Sequence, residues 1–310
     1  MRAGIIGSNW GLVHLVPLRN AGVDVVALCG QDAANTARVA AREGIGRCHT
    51  NAAELQDLDL IVIATPAITH PQLLELFPHQ FVICEKPLLG IGHPLARAAS
   101  LPRQRVWVNY AFAFLDCAQA AAAALAQIGP LQRVRVESTV NIPLTFSWPQ
   151  WFMEVASHPL SWVLHQLGPA WPRTVRPLPQ GHLVEAWWPS GTTGEFVVGH
   201  QPQAGIHHRL HLVGEGGSIE LQGQLIWGEN WRYGPLRVNG EVLELANGGS
   251  GDPWVLANHE AVTALVAVAR GRTSRDQALA SGLFDLDKAL WVEQLVGQMA
   301  AVPLMTEHGQ

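Results

Sequence analysis

Between residues 1 and 118 the chain alternates largely apolar runs with helix-like segments. The runs are Arg2 to Ile6, Val23 to Cys29, Leu58 to Ala64, Phe81 to Cys84 and Arg105 to Asn109, with a short candidate strand at Cys48-His49. A strand covered on one face alternates apolar and polar residues, whereas a strand covered on both faces reads as continuous Val, Ile and Leu. Between the runs lie helical segments at about Leu12 to Asn20, Asp32 to Glu43 and Ile68 to Phe77, and Asp32 stands where a helix N-cap belongs. Right-handed crossovers between parallel strands then give a doubly wound parallel sheet. In such a sheet ligands sit beyond the carboxyl ends of the strands.

Two strand ends carry unusual residues. The first is followed by Gly7-Ser8-Asn9-Trp10-Gly11. Glycines let a backbone approach a phosphate closely, and a helix start supplies free N–H groups. The spacing is Gly7-x-x-x-Gly11, with Asn9 where a dinucleotide fingerprint places its middle glycine, and a glycine turn between strand and helix also occurs without a ligand. The other is Cys84-Glu85-Lys86-Pro87. Only Lys86 and Lys288 are lysines, against eighteen arginines. A lysine is a compact donor whose pKa can be shifted, which suits proton chemistry better than the planar arginine fork.

After about Gly129 the pattern changes. Short alternating runs recur between Gly and Pro turns: Val134 to Val140, His182 to Trp188, Gly194 to His200, His208 to Val213, Ser218 to Leu221 and Gln224 to Trp227. They predict a second α+β domain with a large, mostly antiparallel sheet, and helices from about Asn258 to Met299 that pack back on the first domain. The predicted division is 1–118 and 119–310. With 15% charged residues, a net charge of -5 and no basic block, the composition argues against nucleic acid and anionic membranes as partners. No apolar run is long enough to span a bilayer. Cys29, Cys48, Cys84 and Cys117 show no Cys-x-x-Cys spacing and read as free thiols in a reducing compartment, the cytoplasm. His207, His208 and His211 cluster, but in a strand His208 faces away from the other two, so no metal site is expected.

Taken together and in order, these segments resemble the Gfo/Idh/MocA oxidoreductases, named for glucose-fructose oxidoreductase and inositol dehydrogenase. Ala64-Thr65-Pro66 with His70 is similar to the family's Thr-Pro-Asn-x-x-His stretch, and Glu85-Lys86-Pro87 matches its most specific motif. Asn109 to Phe112, Gly129 to Val134 and His211 to Glu220 resemble the exit from the nucleotide domain, the opening strand of the second domain and its late hairpin. The resemblance implies a Rossmann domain that holds a dinucleotide through Gly7, Ser8, Asn9, Trp10, Gly11, Gly30, Gln31, Thr65, Pro66, His70, Glu85 and Lys86. It implies hydride transfer between nicotinamide and a small alcohol or carbonyl substrate, a sugar or cyclitol among the candidates, with Lys86 polarising the oxygen. The family's Asp-x-Gly-x-His-x-x-Asp stretch corresponds to Glu154 through Ser161, where only His158 is identical. His158 is then the expected proton relay and Glu154 its orienting acid. If Ser157 caps a helix, Pro159 falls in its first turn and Glu154 precedes it. A non-catalytic sensor or scaffold of the same fold is the alternative, and the short glycine turn is similar to that of thiazolinyl imine reductases.

Two further expectations concern partners. An acid at the end of the second strand binds the ribose hydroxyls of NAD. Here Gly30 stands in its place, which leaves room for a 2′-phosphate, with Gln31, Thr36 and Arg38 as donors; NADP is favoured and NAD stays open. Asp32 is expected to cap the helix rather than turn to the ribose. Ten of the twelve tryptophans lie from Trp148 onward. They suggest a sheet face joined to a second copy, in a homodimer or homotetramer.

Overall fold

The computed structural model describes residues 1–90, 101, 103, 105–141, 148–226, 229–245 and 251–301. It resolves into two compact units. The first comprises Met1–Ala111 together with Asn258–Leu290, so the division falls seven residues before the predicted one, and the segment 258–290 belongs with the N-terminal residues.

The first unit is built on the sheet that the apolar runs predict. Strands β1 (Arg2–Ile6), β2 (Asp24–Cys29), β3 (Arg47–His49), β4 (Leu60–Ile63), β5 (Phe81–Glu85) and β6 (Val106–Asn109) are mutually parallel. Phe284–Asp285 adds an antiparallel edge beside β6. Across the sheet the order is β6-β5-β4-β1-β2-β3. The chain winds outward in both directions from β1, and the crevice beyond the β1 and β4 carboxyl ends is the switch point of the topology. All four β4 residues are fully buried, as an unbroken Leu-Ile-Val-Ile run requires. Helices α1 (Leu15–Asn20), α2 (Ala33–Arg42) and α3 (His70–Glu75) form the connections. Asp32 caps α2, accepting the Asn35 N–H at 2.8 Å.

The second unit carries an eight-stranded sheet in the order β14-β13-β12-β11-β7-β10-β9-β8. Its strands are β7 (Leu131–Asn141), β8 (Trp171–Leu178), β9 (Gly181–Trp187), β10 (Thr193–His200), β11 (Gly205–Gly214), β12 (Gly217–Ile226), β13 (Trp231–Val238) and β14 (Glu241–Leu243). All neighbours are antiparallel except β7 and β10. Helices α4 (Asp116–Ile128), α5 (Trp148–Trp151) and α6 (Ser157–Leu167) accompany it, and α7 (Pro253–Ala269) starts here. On β7, Val134, Val136, Ser138 and Val140 are buried.

The opposite face differs from the expected tryptophan surface. It carries Arg135 paired with Glu137 and Glu195 (2.6 and 2.5 Å), Arg176 with Glu185 (3.0 Å) and His211 with Glu220 (3.8 Å). Trp171 and Trp187 meet at one corner of it, 5.5 Å apart, whereas Trp162 and Trp188 are buried. Strands β8, β13 and the short β14 escape the sequence pattern. β8 contains Pro172 and Pro177, tolerated because it is an edge strand with one free side. β13 contains Gly234-Pro235 at a register shift. The predicted strands at 218–221 and 224–227 are one strand up to Ile226, and residue 227 lies outside the described residues. They join across Gly223, where a Cβ would stand 2.3 Å from the Tyr233 ring.

Candidate active site

The first unit gathers the expected cofactor residues at the strand ends. Gly7 adopts φ +118°, and a Cβ there would lie 2.3 Å from the Ala64 carbonyl oxygen, so only glycine fits between β1 and the segment after β4. Its N–H is held by the Cys29 carbonyl at 2.9 Å. Gly11 lets the following turn press on β1, since a Cβ would meet the Ile5 side chain at 2.7 Å. A 3₁₀ turn, Trp10–His14, leads into α1. Among the described residues the N–H groups of Ser8 and Asn9 have no hydrogen-bond acceptor, and Trp10 is 54% exposed. A glycine-shaped turn with free N–H groups at a strand end fits the pyrophosphate of a dinucleotide.

Gly30 is glycine for a different reason from the one expected. A Cβ there would meet the Thr36 hydroxyl at 2.4 Å and the Ser8 hydroxyl at 2.9 Å. The place of a second-strand acid is therefore filled by these two side chains rather than left open. Thr36 is buried and donates to the Asp32 carbonyl at 2.6 Å, and Arg38 donates to Asn35 at 2.7 Å. Gln31 stays exposed.

Two predicted cofactor contacts turn inward. His70 is 1% exposed, with Nε2 2.8 Å from the Thr65 carbonyl and Nδ1 2.9 Å from that of Pro87. Burial lowers its pKa, and the two carbonyls only partly offset that. It braces the Thr65-Pro66 turn against the segment after Lys86. Thr65 Oγ1 is 2.7 Å from Thr69 Oγ1.

Glu85 is 6% exposed. The His14 Nε2–H donates to its Oε1 at 2.7 Å and Asn109 Nδ2 at 2.8 Å. Asn109 also donates to Asn258 Oδ1 at 2.7 Å. Burial alone would raise the Glu85 pKa, but His14, Asn109 and the charge of Lys86 outweigh it and hold the carboxylate below its ordinary range. Lys86 follows directly, half-buried, at the carboxyl end of β5.

The second unit holds His158 and Glu154, both half-buried, on one helical run. Ser157 does not cap a helix. Helix α5, a π turn at Phe152–Ala156 and α6 follow one another without a break, and Ala156, the residue before α6, is itself in right-handed helical conformation. Glu154 therefore lies within the helix rather than before it. Pro159 lacks the N–H that would bond the Val155 carbonyl, and its ring crowds that carbonyl; the wider π turn accommodates this. Ser161, where the resemblance places an Asp, is buried and donates to the His158 carbonyl at 2.7 Å. The ring of Trp254 stands 4.4 Å from that of His158, at 76°. His14, Asn109, Asn258 and Trp254 were not singled out by sequence as site residues. Only Asp252-Pro253, a cap followed by proline at a helix start, offered a local signal.

Among the described residues no group of three or more His, Cys, Asp or Glu is arranged to hold a metal ion, and no helix is long and apolar enough to cross a membrane.

Residues 1–110 match the family described as oxidoreductase family, NAD-binding Rossmann fold, GFO_IDH_MocA. The N-terminal part of the chain thus matches the NAD-binding Rossmann domain of the Gfo/Idh/MocA oxidoreductase family. Comparison with curated proteins gives no match. Solved structures share the fold over nearly the whole length. An oxidoreductase from Agrobacterium radiobacter in complex with NAD+, L-tartaric acid and magnesium is 17% identical with a TM-score of 0.70, covering 97% of this chain and 96% of its own. A putative myo-inositol dehydrogenase from Sinorhizobium meliloti is 18% identical with a TM-score of 0.70, covering 97% and 98%. The biliverdin reductase of Synechocystis, in complex with biliverdin and NADP+, is 19% identical with a TM-score of 0.67, covering 97% and 98%.

Proposed function

We propose that this NAD-binding oxidoreductase reduces or oxidises a small molecule at a carbon that alternates between alcohol and carbonyl. The observation that carries the reading is Lys86, placed directly after a buried, ionised Glu85 at the carboxyl end of β5 in a Rossmann sheet. The turn Gly7, Ser8, Asn9, Trp10, Gly11 would hold the pyrophosphate, Gly30 and Gln31 would border the adenosine ribose, and Thr65, Pro66 and Lys86 would flank the rest of the dinucleotide. When bound, the nicotinamide supplies or accepts the hydride. Lys86 donates a hydrogen bond to the substrate oxygen and polarises it. His158 takes up or returns the proton, with Glu154 orienting its ring. Acid–base assistance of this kind is worth about a hundred- to ten-thousand-fold in rate.

The second strand carries no acid at Gly30, and Asp32 is engaged by the Asn35 N–H. Without a carboxylate to repel a 2′-phosphate, NADP is favoured, and the exposed Gln31 and the remaining N–H groups of Arg38 are the donors left to it. The structures sharing this fold include both NAD+ and NADP+ complexes. We read the substrate as a small molecule and the protein as a homodimer or homotetramer; its free cysteines support a reducing compartment, the cytoplasm.

Lys86→Ala tests the reading. It is expected to lower turnover at least a hundredfold while dinucleotide binding, followed by fluorescence titration, is retained. Near-normal turnover in the variant would remove Lys86 from the chemistry.

A further inference from the structure

In the second unit His158 stands beside a wall of flat rings. Trp254 lies 4.4 Å from its imidazole and 6.0 Å from Trp231. Trp231 is nearly parallel to His208, at 5.5 Å and 4°, and to Tyr233, at 5.5 Å and 13°. The five rings come from α6, α7, β11 and β13.

A single carboxylate fixes the backbone from which the two indoles project. Asp252 accepts the Trp231 N–H on Oδ2 at 3.0 Å and the N–H groups of Trp254 and Val255 on Oδ1 at 2.8 and 3.3 Å. It ties the first residue of β13 to the first turn of α7 and is itself taken up by backbone donors. His158, Trp231 and Trp254 nonetheless keep part of their surface open. Apolar ring surface held in place and left uncovered, beside a residue read as catalytic, suits a ligand better than a core.

Several polar groups at the wall are engaged in holding it. Ser161 donates to the His158 carbonyl, and Ser138 meets His208 Nδ1 at 2.9 Å. Both serines and His208 are buried. The Tyr233 hydroxyl is buried and, among the described residues, has no hydrogen-bond partner. A polyol needs a donor or acceptor for each hydroxyl it brings out of water. The wall presents ring faces instead.

We propose that this wall selects a flat, conjugated substrate, an aromatic or π-conjugated ketone, aldehyde or imine whose ring lies against Trp254 and Trp231 with its polar double bond toward His158. The proposal rests on the reading of His158 as the proton-handling residue, and it names the substrate class of that site.

The experiment is calorimetric binding to the full-length protein saturated with oxidised dinucleotide. The probes are 2-acetylnaphthalene, its fully saturated decalin counterpart and myo-inositol. The naphthyl ketone is expected to bind at least tenfold more tightly than the decalin ketone, with myo-inositol weaker still. In Trp254→Leu that preference should fall below threefold, while Trp254→Phe keeps most of it and both variants bind dinucleotide as the parent does. The parent's own preference decides the matter should a variant fail to fold. Equal binding of the two ketones, or tighter binding of myo-inositol, would overturn the proposal. Because binding is read rather than turnover, naphthyl-selective binding in a protein that, in a separate assay, fails to reduce the same ketone with NADH or NADPH would remove the oxidoreductase reading of the site and still support the ligand class.

Discussion

His208 offers a quantitative test of the second unit. It is 1% exposed, its Nδ1 lies 2.9 Å from the Ser138 hydroxyl, and its ring is stacked on Trp231. Burial, with a smaller contribution from the neighbouring His207, lowers its pKa to about 3. The folded chain therefore keeps this ring neutral far below the point at which an unfolded chain, with a histidine pKa of about 6.5, would protonate it. Below that value the unfolded state binds more protons than the folded one, so stability is full above about pH 6.5 and declines as the pH falls toward the folded pKa. At roughly 1.4 kcal/mol per unit, the loss specific to His208 is about 2 kcal/mol at pH 5. His208→Gln retains a hydrogen-bonding side chain for Ser138 and does not titrate. His70, His182 and His207 also lie below their ordinary values and pull in the same direction. They are common to both proteins and cancel in the difference. The assay is urea unfolding of parent and variant from pH 7.5 to 5. The expected result is a parent-minus-variant stability difference that shifts by about 2 kcal/mol against the parent over that range. A difference that stays flat with pH would mean that His208 is hydrated and protonates normally, and that the wall beside His158 is not the neutral surface described.

Three other outcomes follow from the geometry. Gly7→Ala forces a side chain to φ +118° and a Cβ to 2.3 Å from a backbone oxygen, so it should cost at least about 2 kcal/mol and weaken dinucleotide binding more than tenfold; unchanged melting temperature and affinity would refute the role given to the turn. Parallel titrations with NADPH and NADH should favour NADPH, and a tenfold preference for NADH would show that the missing acid at Gly30 confers no advantage on the 2′-phosphate. Light scattering at micromolar concentration should give a mass at least twice the 33.6 kDa of one chain, and a value near 33.6 kDa would refute the dimer or tetramer.

The first sheet was legible because its cause is local. A strand buried on both faces must be apolar at every position, and Leu60–Ile63 is that in sequence and in structure. The second sheet was legible only where its strands alternate. β8 and β13 carry proline or a Gly-Pro step, and what makes them strands is a neighbour: β9 for the first, β12 for the second. The surroundings of His158 were less legible still. His208, Trp231 and Trp254 are separated by 23 residues at each step, and their meeting depends on strand register and on the Asp252 clamp.

Glu85 and Gly30 mark where reasoning by residue type reached its limit. A carboxylate beside a lysine at a strand end suggests a ligand contact, because charges are seldom buried without partners. Here the partners exist. His14 comes from the turn after β1 and Asn109 from the end of β6, so Glu85 is an internal tie between elements on either side of β5. Breaking such a tie from one side leaves a buried charge uncompensated, which costs about 3–5 kcal/mol. Its sequence position beside Lys86 is informative for another reason: the charge of Lys86 helps keep Glu85 ionised. Gly30 makes the complementary point. A glycine in place of an acid reads as space, but the space belongs to Ser8 and Thr36. An acid introduced at Gly30 would have to displace both hydroxyls before it could reach a ribose, so the chain's cofactor preference is bound up with the packing of the glycine turn itself.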